Sequence, residues 1–186
     1  VRILNIATPE NGTMRNSMLP TLISLVYENR SYADEFGIFE IGRVADGIKA
    51  DGTANECKRL GIALFDKKGS EKQLYFKAVE IIRCITSQIK HLSVQFKKSE
   101  TAHKWQHPKN TSKITLGSDI GVICTLHPSV LSKIDKNCSV VCVEIDLDDM
   151  AKIVPVGYNY DEPSKFPSVE YDLSLVCGDK RYDELK

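Results

Sequence analysis

The stretch "FGIFEIGRV" (36–44) runs through "ADGIKADGTAN" (45–55) into "CKRLGIALFD" (57–66), and this passage decides the fold class. Two runs rich in Phe, Ile, Val and Leu flank a segment of Gly and Asp, the pattern of two strands joined by a turn. A hairpin makes its strands antiparallel, because parallel neighbours need a crossover of a dozen or more residues. A second such unit, "SKITLGSDIGVICTL" (112–126), turns at "GSD" (117–119). "CSVVCVEIDL" (138–147) is almost continuously apolar, as expected of a strand covered on both faces. "VRILNIA" (1–7) and "SVQFKK" (93–98) read as further strands.

Helices fall between these strands. "SMLPTLISLVYENR" (17–30) carries Leu19, Leu22, Ile23 and Val26 at helical spacing, with Ser17 as the expected N-cap and Pro20 in the first turn. "QLYFKAVEIIRCITSQIKH" (73–91) puts Leu74, Ala78, Ile81, Ile82, Ile85 and Ile89 on one face. "HPSVLSKI" (127–134) is one or two helical turns. "SETAHKWQHPKN" (99–110) is polar and reads as a loop. "VPVGYNYDEPSK" (154–165) reads as a linker before a strand, "FPSVEYDLSLVCGD" (166–179), and a helix start, "KRYDELK" (180–186). Hairpins mixed with a few helices imply an α+β fold: an antiparallel sheet flanked by helices.

Composition excludes several functions. The 25 Lys and Arg balance the 25 Asp and Glu, so the basic excess of a free-standing nucleic-acid binder is missing. The six cysteines form no CxxC pair; Cys138 and Cys142 share a strand face but stand about 13 Å apart at ~3.3 Å per residue. That is too far for one disulfide or one zinc ion, so all six read as reduced thiols of a cytoplasmic protein. No apolar run reaches the length of a membrane span. His103 and His107 sit in a polar stretch broken by Pro108. Asp146, Asp148 and Asp149 read as a helix N-terminus rather than a magnesium site. No phosphate-binding glycine loop is present.

"TMRNSMLPTLISLVYENR" (13–30), "FEIGRV" (39–44), "GVICTLHPSVL" (121–131), "VEIDLDDM" (143–150) and "FPSVEYDLSLV" (166–176) follow one another in an order that resembles the β subunit of phenylalanyl-tRNA synthetases. The resemblance implies a class II synthetase-like, non-catalytic module over residues 1–154. It also implies a linker at 155–164 and the start of a ferredoxin-like anticodon-binding domain at 165–186. Two segments depart from the family: Ala78 replaces a glycine in "LYFKAVEII", and "HPKN" (107–110) stands where His-Pro-Gly-Arg is usual, with Lys109 and Asn110 at the last two positions.

In active class II synthetases a strand like "FEIGRV" runs into Phe-Arg-x-Glu, whose arginine grips the ATP α-phosphate. On that resemblance Ala45 and Asp46 take the Phe and Arg positions. A second ATP-clamping arginine gives way to the neighbourhood of Leu147 in "VEIDLDD". The implied role is a module that packs on the catalytic α subunit of an enzyme charging tRNA(Phe). ATP and Mg would then be used by the holoenzyme and no cofactor held in this piece. Arg15, Leu22, Val26, Glu40 and Arg43 are the implied interface or structural residues, with Arg15 and Glu40 open to either a buried contact or a plain surface role. The alternative is a free-standing small adenylate-forming or nucleotide-binding enzyme of the same fold, which would need a cationic phosphate clamp.

Overall fold

The computed structural model describes residues 1–2, 12–157, 169, 171–172 and 174. The expected strand 1–7, the strand 166–179 and the helix start 180–186 fall largely or wholly outside the described residues. The rest is α1 (Leu19–Asn29), β1 (Glu35–Ile48), β2 (Ala54–Asp66), α2 (Glu71–Lys90), β3 (Gln95–Lys98), β4 (Gln106–Leu116), β5 (Ser118–Leu126), α3 (Pro128–Ile134), β6 (Ser139–Asp146) and α4 (Leu147–Lys152). The strands form one sheet in the order β1-β2-β6-β5-β4-β3, every described pair antiparallel. This is the expected α+β architecture, with both hairpins in place.

β6 lies at the centre and is buried from Ser139 to Ile145, which explains its unbroken apolar run. One face of the sheet packs Ala63, Phe65, Cys124, Val140 and Cys142 against Leu19, Leu22 and Val26 of α1. The other packs Ile62, Ile123, Val141, Val143 and Ile145 against Leu74, Ala78 and Ile82 of α2, with Met150 of α4 joining them. Each large aliphatic side chain buried this way contributes about 1.5–3 kcal/mol. α1 can lie close to β2 because Gly61 has no side chain. A Cβ there would stand 2.8 Å from Met18 Cβ and 2.8 Å from Leu22 Cδ1.

Three expectations need correction. α1 begins one residue later than Ser17 as N-cap implies, with Met18 in that position, although Ser17 Oγ still accepts a first-turn N–H, that of Leu19. The apolar stripe of α2 drifts, so Ile89 is exposed while Thr86 and Lys90 are buried. Lys90 is accommodated because its Nζ donates to the carbonyls of Ala151 and Ile153, at 3.3 and 2.7 Å. Finally, 99–110 is not all loop. β4 begins at Gln106 opposite Leu126 and resumes its register at Thr111 opposite Cys124, so "HPKN" (107–110) bulges out of the ladder. Pro108 has no N–H to give a ladder, which suits it to a bulge.

Cys124 and Cys142 face each other across β5 and β6, an opposition that spacing along one strand does not reveal. Both are buried free thiols. Burial pushes Cys124 up to about 12 and Cys142 well above its ordinary value. The thiolate is the reactive form, so these two are inert in the folded chain. Alkylation of the native protein near about pH 8 is expected to label the exposed Cys84 first and to spare Cys124 and Cys142 until unfolding. Labelling of Cys142 at the rate of Cys84 would contradict the packing described here.

Candidate functional site: an arginine held among carboxylates

In an antiparallel sheet, side chains alternate faces, so Arg59 of β2 and Glu144 and Asp146 of β6 emerge on the α1 side. Arg59 pairs in register with Asp146, and Glu144 is two residues back on the same face. Arg59 Nη1 donates to Glu144 Oε2 at 2.9 Å and to the Asn16 carbonyl at 3.1 Å. Its Nε lies 3.6 Å from Asp146 and its Nη2 4.0 Å from Asp46. The Arg59 and Glu144 side chains are 19% and 8% exposed, so this pair is largely withdrawn from water.

Glu144 serves α1 as well. Its Oε1 accepts the Ser17 hydroxyl at 3.0 Å and the Met18 N–H at 2.5 Å. Ser17 Oγ in turn accepts the Leu19 N–H at 3.2 Å. The first turn of a helix leaves N–H groups unpaired, and a carboxylate there also suits the helix dipole. Ser17 satisfies one of these N–H groups from within the sequence, and Glu144 satisfies another from the middle of the sheet.

Beside this network lies a cleft of about 260 Å³ whose lining includes Arg59, Glu144, Trp105, His103 and Lys113. His103 and Trp105 are stacked with ring centres 5.3 Å apart. Lys113 is tied to Asp119 at 2.6 Å. Both strong cations of the cleft therefore already have carboxylate partners. Such a donor set does not fit a polyphosphate, which would have to displace Glu144 from Arg59 while facing Asp46. Among the described residues no group of three His, Cys, Asp or Glu side chains is arranged to hold a metal ion. Asp146 instead caps α4, accepting the Asp149 N–H at 3.0 Å, with Asp148 and Asp149 in the first turn, as the sequence suggests.

The five residues singled out from the sequence do not make one surface. Arg15 and Glu40 meet, with Nη2 to Oε1 at 2.6 Å, and each is about one-third exposed. Leu22 and Val26 are wholly buried in this chain's own core. Arg43 points to the opposite face of β1 from Glu40 and pairs with Glu56 at 3.0 Å. Arg59 and Glu144 were not among the expected residues. Their signal was a charge amid apolar neighbours, Arg59 before "LGIALF" and Glu144 inside "VVCVEI".

Residues 1–147 match the family profile described as "Phenylalanyl tRNA synthetase beta chain CLM domain". The chain belongs to that family. Its curated relatives include the phenylalanine–tRNA ligase beta subunit of Leptospira borgpetersenii serovar Hardjo-bovis, 27% identical over all of this chain and 24% of the relative. That of Bdellovibrio bacteriovorus is 28% identical over 95% of this chain and 23% of its own. That of Staphylococcus haemolyticus is 30% identical, again over 95% and 23%. The chain thus spans about a quarter of the length of these relatives. No helix among the described residues is long and apolar enough to cross a membrane.

Proposed function

We propose that this chain is a non-catalytic, class II synthetase-like module of a cytoplasmic phenylalanyl-tRNA synthetase β chain, and that it packs against a catalytic α subunit. ATP, Mg and tRNA(Phe) are then handled by the assembly, with residues 1–154 forming the module, 155–164 a linker and 165–186 the start of an anticodon-binding domain. The observation that carries the non-catalytic reading is the capture of Arg59 by Glu144, Asp146 and Asp46. A preorganised phosphate site needs free donors aimed at developing charge. Here Arg59, the one arginine lining the cleft among the described residues, is already paired with carboxylates and serves to hold the start of α1. The contact with the α subunit is assigned to the outer side of α1 and the Arg15–Glu40 pair, with Leu22 and Val26 setting their position from beneath.

Phenylalanine-dependent pyrophosphate exchange by the chain alone is expected to stay at background, both as it stands and with Asp46→Arg, since one added cation does not assemble a site. Exchange above background in either protein would overturn the non-catalytic reading. The subunit contact has its own check. The double change Arg15→Ala and Glu40→Ala in the full β chain is expected to weaken capture of the α subunit, and unaltered capture would remove that assignment.

A further inference from the structure

The bulge in β4 leaves a cavity beneath α2. β4 meets β5 with Gln106 opposite Leu126 and Thr111 opposite Cys124, so Thr125 faces the bulged residues 107–110 with no β4 residue in register. On its other side Thr125 stands opposite Val141, which places its side chain on the α2 side of the sheet. Thr125 is 1% exposed, and its hydroxyl makes no hydrogen bond among the described residues. Buried polar groups are normally paired, and bulges are over-represented next to active sites.

Thr125 lines a cavity of about 310 Å³ between the bulge and the first two turns of α2. That is room for a small molecule. The bulge is held in shape: His107 Nδ1 accepts the N–H groups of Lys109 and Asn110 at 3.1 and 3.2 Å, and the Thr111 hydroxyl donates to the His107 carbonyl at 2.8 Å. Asn110 Nδ2 donates to Glu71 Oε1 at 2.7 Å and so ties the bulge to α2. The Tyr75 hydroxyl, which donates to Ser112 Oγ at 3.3 Å, forms another wall. Lys72 and Lys109 also line the cavity, and Lys98 stands opposite Ser112 on the same face. None of these three lysines has a carboxylate partner among the described residues. They differ in this from Arg59 and Lys113 of the other cleft. Glu71 is the one acid in the lining, and Asn110 already occupies its Oε1. α2 begins at Glu71, and Ser70 gives it no side-chain cap, so first-turn N–H groups remain for an anion.

We propose that this cavity binds a phosphate group carried on a ribose-sized polar body. The phosphate sits at Lys72, Lys109 and the start of α2, since lysine serves phosphate as a point charge and a helix N-terminus offers it N–H donors. The body's hydroxyls meet the amide and hydroxyl groups of Asn110, Ser112 and Thr125, and the last of these gains the partner it lacks. A free sugar phosphate and an exposed nucleotide of RNA share this chemistry. The site lies on the α2 side of the sheet, away from the Arg59 cleft and from the proposed subunit contact. It does not rest on the non-catalytic reading, which pyrophosphate exchange tests separately.

Equilibrium dialysis of labelled ribose 5-phosphate against the full-length β chain tests it. Binding is expected to be saturable and to be competed by inorganic phosphate but not by ribose. Lys72→Ala with Lys109→Ala removes two exposed side chains and should weaken binding roughly tenfold or more. Thr125→Val keeps the shape of the side chain and deletes the unpaired hydroxyl. It should leave the unliganded protein as stable as wild type or more so, yet weaken binding about fivefold, a split that a purely structural role does not give. A short 5′-phosphorylated oligoribonucleotide separates the sources. Tighter binding than ribose 5-phosphate through the same three residues makes RNA the ligand, and equal or weaker binding makes it a free sugar phosphate. Binding of neither probe would overturn the proposal, as would binding that survives the lysine changes. Unaltered affinity in Thr125→Val would also overturn it, because only surface lysines would then be at work.

Discussion

Glu144→Ala is expected to cost about 3–5 kcal/mol, the scale for removing one partner of a buried ion pair. The loss has two parts. Arg59 keeps its bond to the Asn16 carbonyl but, among carboxylates, only the longer contacts to Asp146 and Asp46, at 3.6 and 4.0 Å, and remains largely buried. The Ser17 hydroxyl and the Met18 N–H lose their shared acceptor, and both residues are buried. An unsatisfied buried donor costs about 1–3 kcal/mol by itself. Glu144→Gln separates the two parts: an amide oxygen can still accept from α1 but leaves Arg59 without its main counter-charge. Its cost should therefore fall between those of wild type and alanine. The double change Arg59→Met with Glu144→Leu should be milder than Glu144→Ala alone, since no uncompensated charge is left behind. Urea unfolding of the set gives the ranking. A loss below about 1 kcal/mol for Glu144→Ala, the scale of an exposed pair, would show that the network does not hold α1 to the sheet.

The same network shows where sequence reading stops. Strands and helices were legible because period-2 and period-3.6 patterns are local, and the two hairpins were legible because Gly and Asp mark their turns. The apolar run at 138–147 correctly placed a strand covered on both faces. The position of Glu144 inside that run was visible, but its partners were not. Arg59 is 85 residues away and Ser17 is 127, and they meet only because β2 lies beside β6 and α1 crosses both. Ser17 was a reasonable N-cap from its type alone. Its hydroxyl accepts the Leu19 N–H, as a cap does, but it also donates to Glu144, and the helix starts one residue later than local capping rules imply. Likewise Leu22 and Val26 were legible as an apolar stripe, while only the sheet beneath them shows that the stripe is spent on this chain's own core. An arginine replaced at Asp46 is an expectation of the family resemblance alone. The structure adds that Arg59, which lies beside Asp46, is already held by Glu144.

Gly121→Ala should be nearly as damaging, at about 3 kcal/mol, the upper part of the range for overpacking. Gly121 sits on β5 directly opposite Ile145 of β6, next to Glu144. A Cβ built there would lie 2.2 Å from the Glu144 carbonyl oxygen and 3.0 Å from Ile145 Cα. Those are backbone atoms, so no side chain can rotate away. Relief comes only from separating β5 and β6 in the middle of the sheet, where Ile123, Cys124, Val141, Cys142 and Val143 are fully packed. Separation also drags the Glu144 backbone, and so the carboxylate that holds Arg59 and the start of α1. For a domain of this size 3 kcal/mol corresponds to a fall in Tm of about 6–12 °C. In the sequence Gly121 belongs to "GSDIG" and looks like one more turn glycine; the close approach that requires it comes from a strand more than 20 residues away. Thermal unfolding followed by circular dichroism checks the size of the effect. Alkylation of Cys142 in the native variant checks its place: the opened β5–β6 seam should make that thiol react faster than in wild type. A variant with unchanged Tm and an inert Cys142 would show that β6 does not press on Gly121 as described.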